Sequence, residues 1–481
     1  FDALPRHRPC VCARNTRPHS WAASGGTRQH RLRLERAAID RALSHTPRKL
    51  QNPQAIYRVC PMAPDGKWQN GPRCLVITAA AHPARRNFHA MLTPQPLIAA
   101  WARSAVVPRN GAFKALHVHD IAAPVLQALL ARAGLETGAV DAVVMGNALG
   151  AGGNPARLLA LHAGLRHTCA AYTLDTQCCA GLDAVAMGAA LITSGQAHVV
   201  VAGGAEAWSR SPIRMHRPLN ADGQAVAYER PAFAPTPEQD PDMLLSAARY
   251  AARAGYTRAQ QETYAVQSHR RAITHQAHIA PEIVPILGIA HDVYPRQIDT
   301  RRAARMPVVV RTDAENSDDT CALSALTISA QADGAAWVLL ASPQACEKFK
   351  LIAKAKWVAH ACVGSAPETP LLAAQWAAEQ ALQRAGFSNA HHLTHVELHD
   401  AFAVQGLSFA HGLGLTPEQL NPRGGGLARG HPIGASAAIA LVRLLTDLTR
   451  TENAASKAQG LVAVAGAGGL GSAAVVANLL P

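Results

Sequence analysis

Cys178 and Cys179 stand at the head of the run CAGLDAVAMGAALITSG, whose small residues suit a helix packed closely against strands. A thiol at a helix N-terminus has its anion stabilised by unpaired amide groups and by the helix dipole, which lowers its pKa and readies the sulfur as a nucleophile. The competing role is that of a small buried core residue. A base would decide between them. His431 lies in GGGLARGHPIGAS, where Gly424 to Gly426 permit close backbone approach and Pro432 opens another helix, so its imidazole is held on a rigid turn. Such an imidazole takes a proton from a thiol within reach. With 23 histidines in the chain, one alone carries no weight.

What singles these residues out is a repeat. ALLARAGLETGAVDAVVMGN ends at Asn147 and QALQRAGFSNAHHLTHVELH ends at His399. Each reads as an Ala/Leu helix closed by a C-capping glycine, Gly134 or Gly386, then a loop and a short apolar strand whose last polar residue lies 13 positions after that glycine. Asn147 precedes Cys178 by 31 residues and His399 precedes His431 by 32, and both second residues lead into a small-residue helix and a Gly-rich strand end. Duplicated units of this kind pack about a pseudo-twofold axis, so strand ends and helix starts of both halves can meet at one place. That gives Cys178, His399 and His431 a common address.

Alternating helical and strand-like segments from about residue 101 predict an α/β fold. Residues 1–100 carry 16 Lys/Arg against 4 Asp/Glu, and residues 101–481 carry 30 against 28. The basic excess thus belongs to a segment rich in Arg, Pro and His that reads as a disordered extension, and the body lacks the charge of a nucleic-acid binder. Ten scattered cysteines without a disulfide or zinc spacing, Cys10, Cys12, Cys60 and Cys74 among them, point to a reducing cytoplasm and to no metal site. Residues 461–480 have the length of a membrane span, yet their glycines favour strand, turn and strand. GAGGLG at 466–471 spells a dinucleotide fingerprint, but too little chain follows it to complete that unit. Between the halves, 212–330 departs from the repeat; its segment TRAQQETYAVQSHRRAI, opened by Thr257 with Gln260 as a capping box, is placed to form a lid or substrate platform.

The segments QCCAGLDA, GHPIGAS, MGNALGAGGNPAR, GGAEAWS, SHRRA, EIVPI and ADGAA resemble, in order, those of the thiolase superfamily. The resemblance implies a duplicated α/β fold, two halves in a five-layer αβαβα sandwich with an inserted loop domain. Residues 101–345 would form the N-terminal half, including the insertion 212–330, and 346–481 the C-terminal half. It implies that Cys178 accepts the acyl group, that His431 activates it, and that His399, in LHDAFAVQ, helps hold the thioester oxygen. Ala467 and Gly468 fall in the oxyanion turn, Met243 and Ser329 at positions touching the pantetheine arm or acyl group, and Phe402 in the pocket wall. The substrate would be a coenzyme A thioester, with coenzyme A as partner, no separate cofactor, no metal, no nucleic acid and no membrane, in a homodimer or homotetramer.

The chain departs from the family pattern near its end. Thiolases usually carry CxGGGxG, whose cysteine moves a proton during carbon–carbon bond making and breaking; here the turn reads AGAGGLG, with Ala465 at that cysteine. The alternative thiol of an HDCF box is Ala401. The remaining Cys-His-His set is similar to that of decarboxylating ketosynthases. The expected activity is acyl transfer between coenzyme A thioesters through Cys178, cleaving or forming a 3-ketoacyl-CoA. A condensing or acyl-transferring relative with impaired thiolysis, and a weakly active acyl-CoA-binding protein, are the alternatives.

Overall fold

The computed structural model describes residues 94–220, 222–312, 319–416, 418–450 and 458–480, with the backbone of two further strands. Those two, Ile56–Val59 and Leu75–Thr78, pair antiparallel within a unit spanning Phe1–Thr93. The remainder of that unit, including Cys10, Cys12, Cys60 and Cys74, lies outside the described residues. The second unit, Pro94–Pro481, begins its first strand at Leu97, so residues 97–100 of the segment read as an extension belong to the sheet.

The nine strands along the main path of this unit's large sheet are β1 (Leu97–Ser104), β2 (Ala142–Gly146), β3 (Ala170–Leu174), β4 (Val199–Ala207), β5 (Ala332–Ala341), β6 (Ala355–Gly364), β7 (His395–His399), β8 (Gln459–Gly466) and β9 (Leu470–Asn478). They run in the order β7-β8-β9-β6-β1-β5-β4-β2-β3. The repeat is visible in that order. Parallel β2 and β4, then antiparallel β5, match parallel β7 and β8, then antiparallel β9. Within the sheet, strands β1 and β6 of the two halves pair at two positions, Ala355 with Ile98 and Lys356 with Leu97.

Helices α1 (Val118–Ala133) and α3 (Ala373–Ala385) cover the outer faces, each ended by its predicted glycine in the left-handed conformation, Gly134 at φ 65° and Gly386 at φ 87°. Helices α2 (Ala180–Thr193) and α4 (Ile433–Leu448) lie between the half-sheets. Their core gathers Val200, Ala202 and Val338 from one half with Val462, Val464 and Val476 from the other. Separate cores lie under α1 and under α3. The five layers α, β, α, β, α follow. A helix in the central layer is screened on every side, and α4 accordingly buries every residue from Gly434 to Leu448.

Residues 459–478 form β8, a tight turn and β9, as the glycines implied; no helix among the described residues is long and apolar enough to cross a membrane. The insertion is stitched to the sheet. Ile283–Val284 runs parallel to β1, and the neighbouring Glu282 carboxylate accepts from Arg103 Nε at 2.6 Å and from Arg443 Nη1 at 2.5 Å. Arg103 also donates to Asp292 at 2.7 Å and Arg443 to Asp447 at 3.1 Å. One buried carboxylate thereby ties the insertion, the first half and α4 together. Replacing Glu282 with Ala leaves two buried guanidinium groups short of a counter-charge and should destabilise the fold by about 3–5 kcal/mol. A fall in the urea midpoint checks this; an unchanged midpoint would show the bridge to be dispensable.

Candidate functional site

The chain leaves β3 at Leu174 and enters α2 through a single 3-10 turn, Gln177–Cys179, so Cys178 precedes the helix by two residues. Gln177 takes a left-handed φ of 56°, a conformation that costs a non-glycine residue about 1–2 kcal/mol. His431 enters from the other half, between the turn Gly426–Arg429 and α4. Gly430, at φ 113°, makes the bend that presents it. The two central helices can approach only because glycines meet at the crossing: a Cβ on Gly204 would lie 1.9 Å from the Gly434 carbonyl oxygen, and one on Gly181 2.7 Å from the same atom.

Cys178 Sγ lies 3.2 Å from His431 Nε2. The tautomer follows from the other side of the ring. The Ser436 hydroxyl donates to the Pro432 carbonyl at 3.0 Å, so at 2.7 Å from His431 Nδ1 its oxygen accepts, which places the ring proton on Nδ1 and leaves Nε2 free to accept from the thiol. His399, at the end of β7, stacks on His431 with ring centroids 4.4 Å apart. It is buried, and its Nε2 has no hydrogen-bond partner among the described residues. Gly426 makes room for it, since a Cβ there would lie 2.6 Å from His399 Nδ1.

Electrostatics revise the expectation of an activated thiolate. Burial pushes the Cys178 thiol up to about 12, against which hydrogen bonds from the backbone amides of Ala467 and Cys178 itself act as smaller, lowering influences. Burial also lowers His431 to about 4, and it drives His399 well below the ordinary imidazole range, aided by His431 and Arg429. The resting pair is therefore neutral thiol and neutral imidazole. The helix terminus does not prevail because Cys178 sits before the helix proper, in a low-dielectric setting.

Cys178 and His431 open into a cavity of about 600 Å³ with mostly apolar walls. Met243, Ser329, Phe402, Ala467, Ala401 and Ala465 all line it. Ser329 spends its hydroxyl on the Gly426 carbonyl at 2.6 Å. Gly468, at φ 74°, instead lies against Phe233, whose carbonyl oxygen would be 3.0 Å from an added Cβ. The capping-box helix forms as expected over Arg258–Thr274, with Thr257 N donating to Gln260 Oε1 at 2.8 Å, yet it contributes no wall to the cavity. It is a brace and not a lid: Tyr264 donates to Asp400 at 2.9 Å, and Gly425 N donates to Ser268 at 2.9 Å, behind His399. The covering walls come instead from the segment around Arg230 and Phe233 and from the start of the helix Met243–Ala254.

One residue that joins the halves beside the site escaped the sequence reading. Glu206, buried in β4, accepts from Asn147 Nδ2 at 2.7 Å, Ala148 N at 2.9 Å and Gly434 N at 3.0 Å, joining the two halves just behind His431. Burial raises it to about 7. An acid inside the apolar strand VVVAGGAEA is the signal that could have found it.

Residues 97–344 match the model of the thiolase N-terminal domain, and residues 351–478 match that of the thiolase C-terminal domain. The chain belongs to the thiolase family. It is 33% identical over 405 residues to an acetyl-CoA acetyltransferase of Pseudomonas aeruginosa, covering 79% of this chain and 99% of the relative. It is 32% identical to one of Rhizobium meliloti, covering 81% of this chain and all of that one. Among solved structures, the acetyl-CoA acetyltransferase of Bacillus anthracis superposes with a TM-score of 0.73 at 28% identity, covering 80% of this chain and 99% of that one. The Acat5 thiolase of Ascaris suum, solved in complex with coenzyme A, superposes with a TM-score of 0.72 at 26% identity, covering 80% and 100%.

The neutral resting pair of this thiolase makes a measurable statement. A thiol whose pKa is raised gains thiolate about tenfold for each pH unit below that pKa, so alkylation of Cys178 by iodoacetamide should climb steadily from about pH 7 to about pH 10. Peptide mass spectrometry follows the rate. A plateau already reached below about pH 8 would mean a resting thiolate.

Proposed function

We propose that this thiolase works as an acyl-CoA C-acyltransferase by carrying the acyl group on Cys178. The observation that supports the reading best is the 3.2 Å approach of Cys178 Sγ to a His431 nitrogen free to accept, at the floor of an apolar cavity. As the sulfur attacks a coenzyme A thioester, His431 Nε2 takes the thiol proton and then returns it to the departing coenzyme A sulfur. The amides of Cys178 and Ala467 face the oxyanion, while His399, with its proton on Nε2, donates to the carbonyl oxygen of the second thioester. Each such preorganised donor is worth about 3 kcal/mol. Met243 and Ser329 touch the pantetheine arm or the acyl group, and Phe402 lines the pocket. The coenzyme A thioester is itself the substrate, so the chemistry calls for no further cofactor.

Carbon–carbon bond cleavage makes a further demand, since the departing enolate must receive a proton. Ala465 and Ala401 line the cavity where a family thiol would stand, and neither can supply one. This favours, as a second reading, a relative that transfers or condenses acyl groups with impaired thiolysis. Incubation with acetyl-CoA should add one acetyl mass to the Cys178 peptide and none in Cys178→Ala; an unmodified wild-type peptide would overturn the acyl-enzyme reading. Restoring the acid with Ala465→Cys should raise acetoacetyl-CoA thiolysis by about 10²-fold or more. No gain would mean that another group already protonates the enolate.

We also read the enzyme as a cytoplasmic homodimer or homotetramer. The described cysteines are all free thiols, in keeping with a reducing compartment. Among the described residues strand β3 pairs on one side, with β2, and Tyr172 on it is exposed, as are Leu158 and Leu161 nearby in sequence. An unpaired edge with apolar side chains calls for a partner. Sedimentation equilibrium should give at least twice the chain mass; a monomer would refute the assembly.

A further inference from the structure

Asp183 lies in the first turn of α2, away from the cavity walls, yet its carboxylate is shared by four donors from both halves. Oδ2 accepts from Thr176 Oγ1 at 2.6 Å and from Cys362 Sγ at 3.8 Å. Oδ1 accepts from Ser472 Oγ at 2.6 Å and from His360 Nε2 at 3.1 Å. His360 also meets Ser472 Oγ at 2.9 Å, and Cys362 is the register partner of Ser472 across β6 and β9.

The two short bonds reach two different walls of the reacting centre. Thr176 is two residues before Cys178, on the far side of Gln177 and its left-handed backbone. Ser472 stands near the start of β9, which leaves directly from the turn Ala467–Gly469. A strained non-glycine residue persists only where its surroundings over-determine it, and short hydrogen bonds to a carboxylate are among the stronger tethers available. A single side chain therefore grips the loop that presents one oxyanion amide, that of Cys178, and the strand that leaves the turn carrying the other, that of Ala467.

We propose that Asp183 is a positioning residue that sets the gap between the Cys178 and Ala467 amides across the two halves. The inference rests on the acyl-transfer reading above. Its loss widens or tilts the donor pair without touching the binding cavity, and displacements of about 1 Å cost reacting systems up to about 10²-fold. Acylation needs those amides, because a tetrahedral oxyanion forms. Alkylation of the same sulfur by iodoacetamide forms no oxyanion and does not need them.

The test compares both reactions in wild type, Asp183→Ala and Asp183→Asn. Asp183→Ala should acylate Cys178 from acetyl-CoA at least about tenfold more slowly, with KM for acetyl-CoA and the iodoacetamide rate held within about twofold. Asp183→Asn, which keeps one acceptor oxygen, should fall between the two. Should Asp183→Ala fail to fold, Thr176→Val, which removes only the loop-side bond, carries the same expectation. Equal losses in acylation and alkylation would reveal a general collapse of the site and overturn the proposal, as would acylation at the wild-type rate. If wild type itself takes up no acetyl group, the acyl-enzyme reading fails first; if it does and Asp183→Ala matches it, only the present inference falls.

Discussion

The structure depends on a meeting of two helix starts. Cys178 and His431 come from polypeptide segments 253 residues apart, and their 3.2 Å contact exists because α2 and α4 lie side by side in the central layer with their N-termini at one point. Side chains larger than hydrogen would hold the helices and β4 apart there, as the clashes at Gly181 and Gly204 with the Gly434 carbonyl show. Glu206 then locks the crossing by receiving amides from both halves. The paired strands β1 and β6 carry the sheet from one half to the other beside these starts.

Much of this was legible in the chain. The glycine caps at Gly134 and Gly386, the strand ends at Asn147 and His399, and the paired spacing to Cys178 and His431 define the duplication, because turn chemistry and small-residue helices leave local marks in sequence. The capping box at Thr257 also formed. What it packs against did not follow, since an amphipathic face says that a helix is covered without saying by what. The protonation state of Cys178 was misjudged for a related reason: the helix-end effect is local and readable, whereas desolvation is a property of the assembled surroundings. Gly468 illustrates the same limit, being in the right turn but directed at Phe233.

The insertion illustrates division of labour within one stretch of chain. Its first part, around Arg230, Phe233 and Met243, forms walls of the cavity, and its middle, Arg258–Thr274, shores up the His399–Asp400 segment from behind. Its later part, through Glu282 and Asp292, anchors to buried arginines of the sheet and of α4. Variation in the first part can reshape the chamber while the other two keep the frame constant, which separates substrate fit from fold integrity along the sequence.

Keeping the sulfur protonated between turnovers has a chemical benefit beyond the reaction. Thiols react with peroxides and stray electrophiles chiefly as anions, so a buried Cys178 that holds its proton is slower to suffer sulfenic and sulfinic damage. Burial thus makes the Cys178 sulfur slow toward oxidants at neutral pH, while an imidazole nitrogen 3.2 Å away remains free to take its proton.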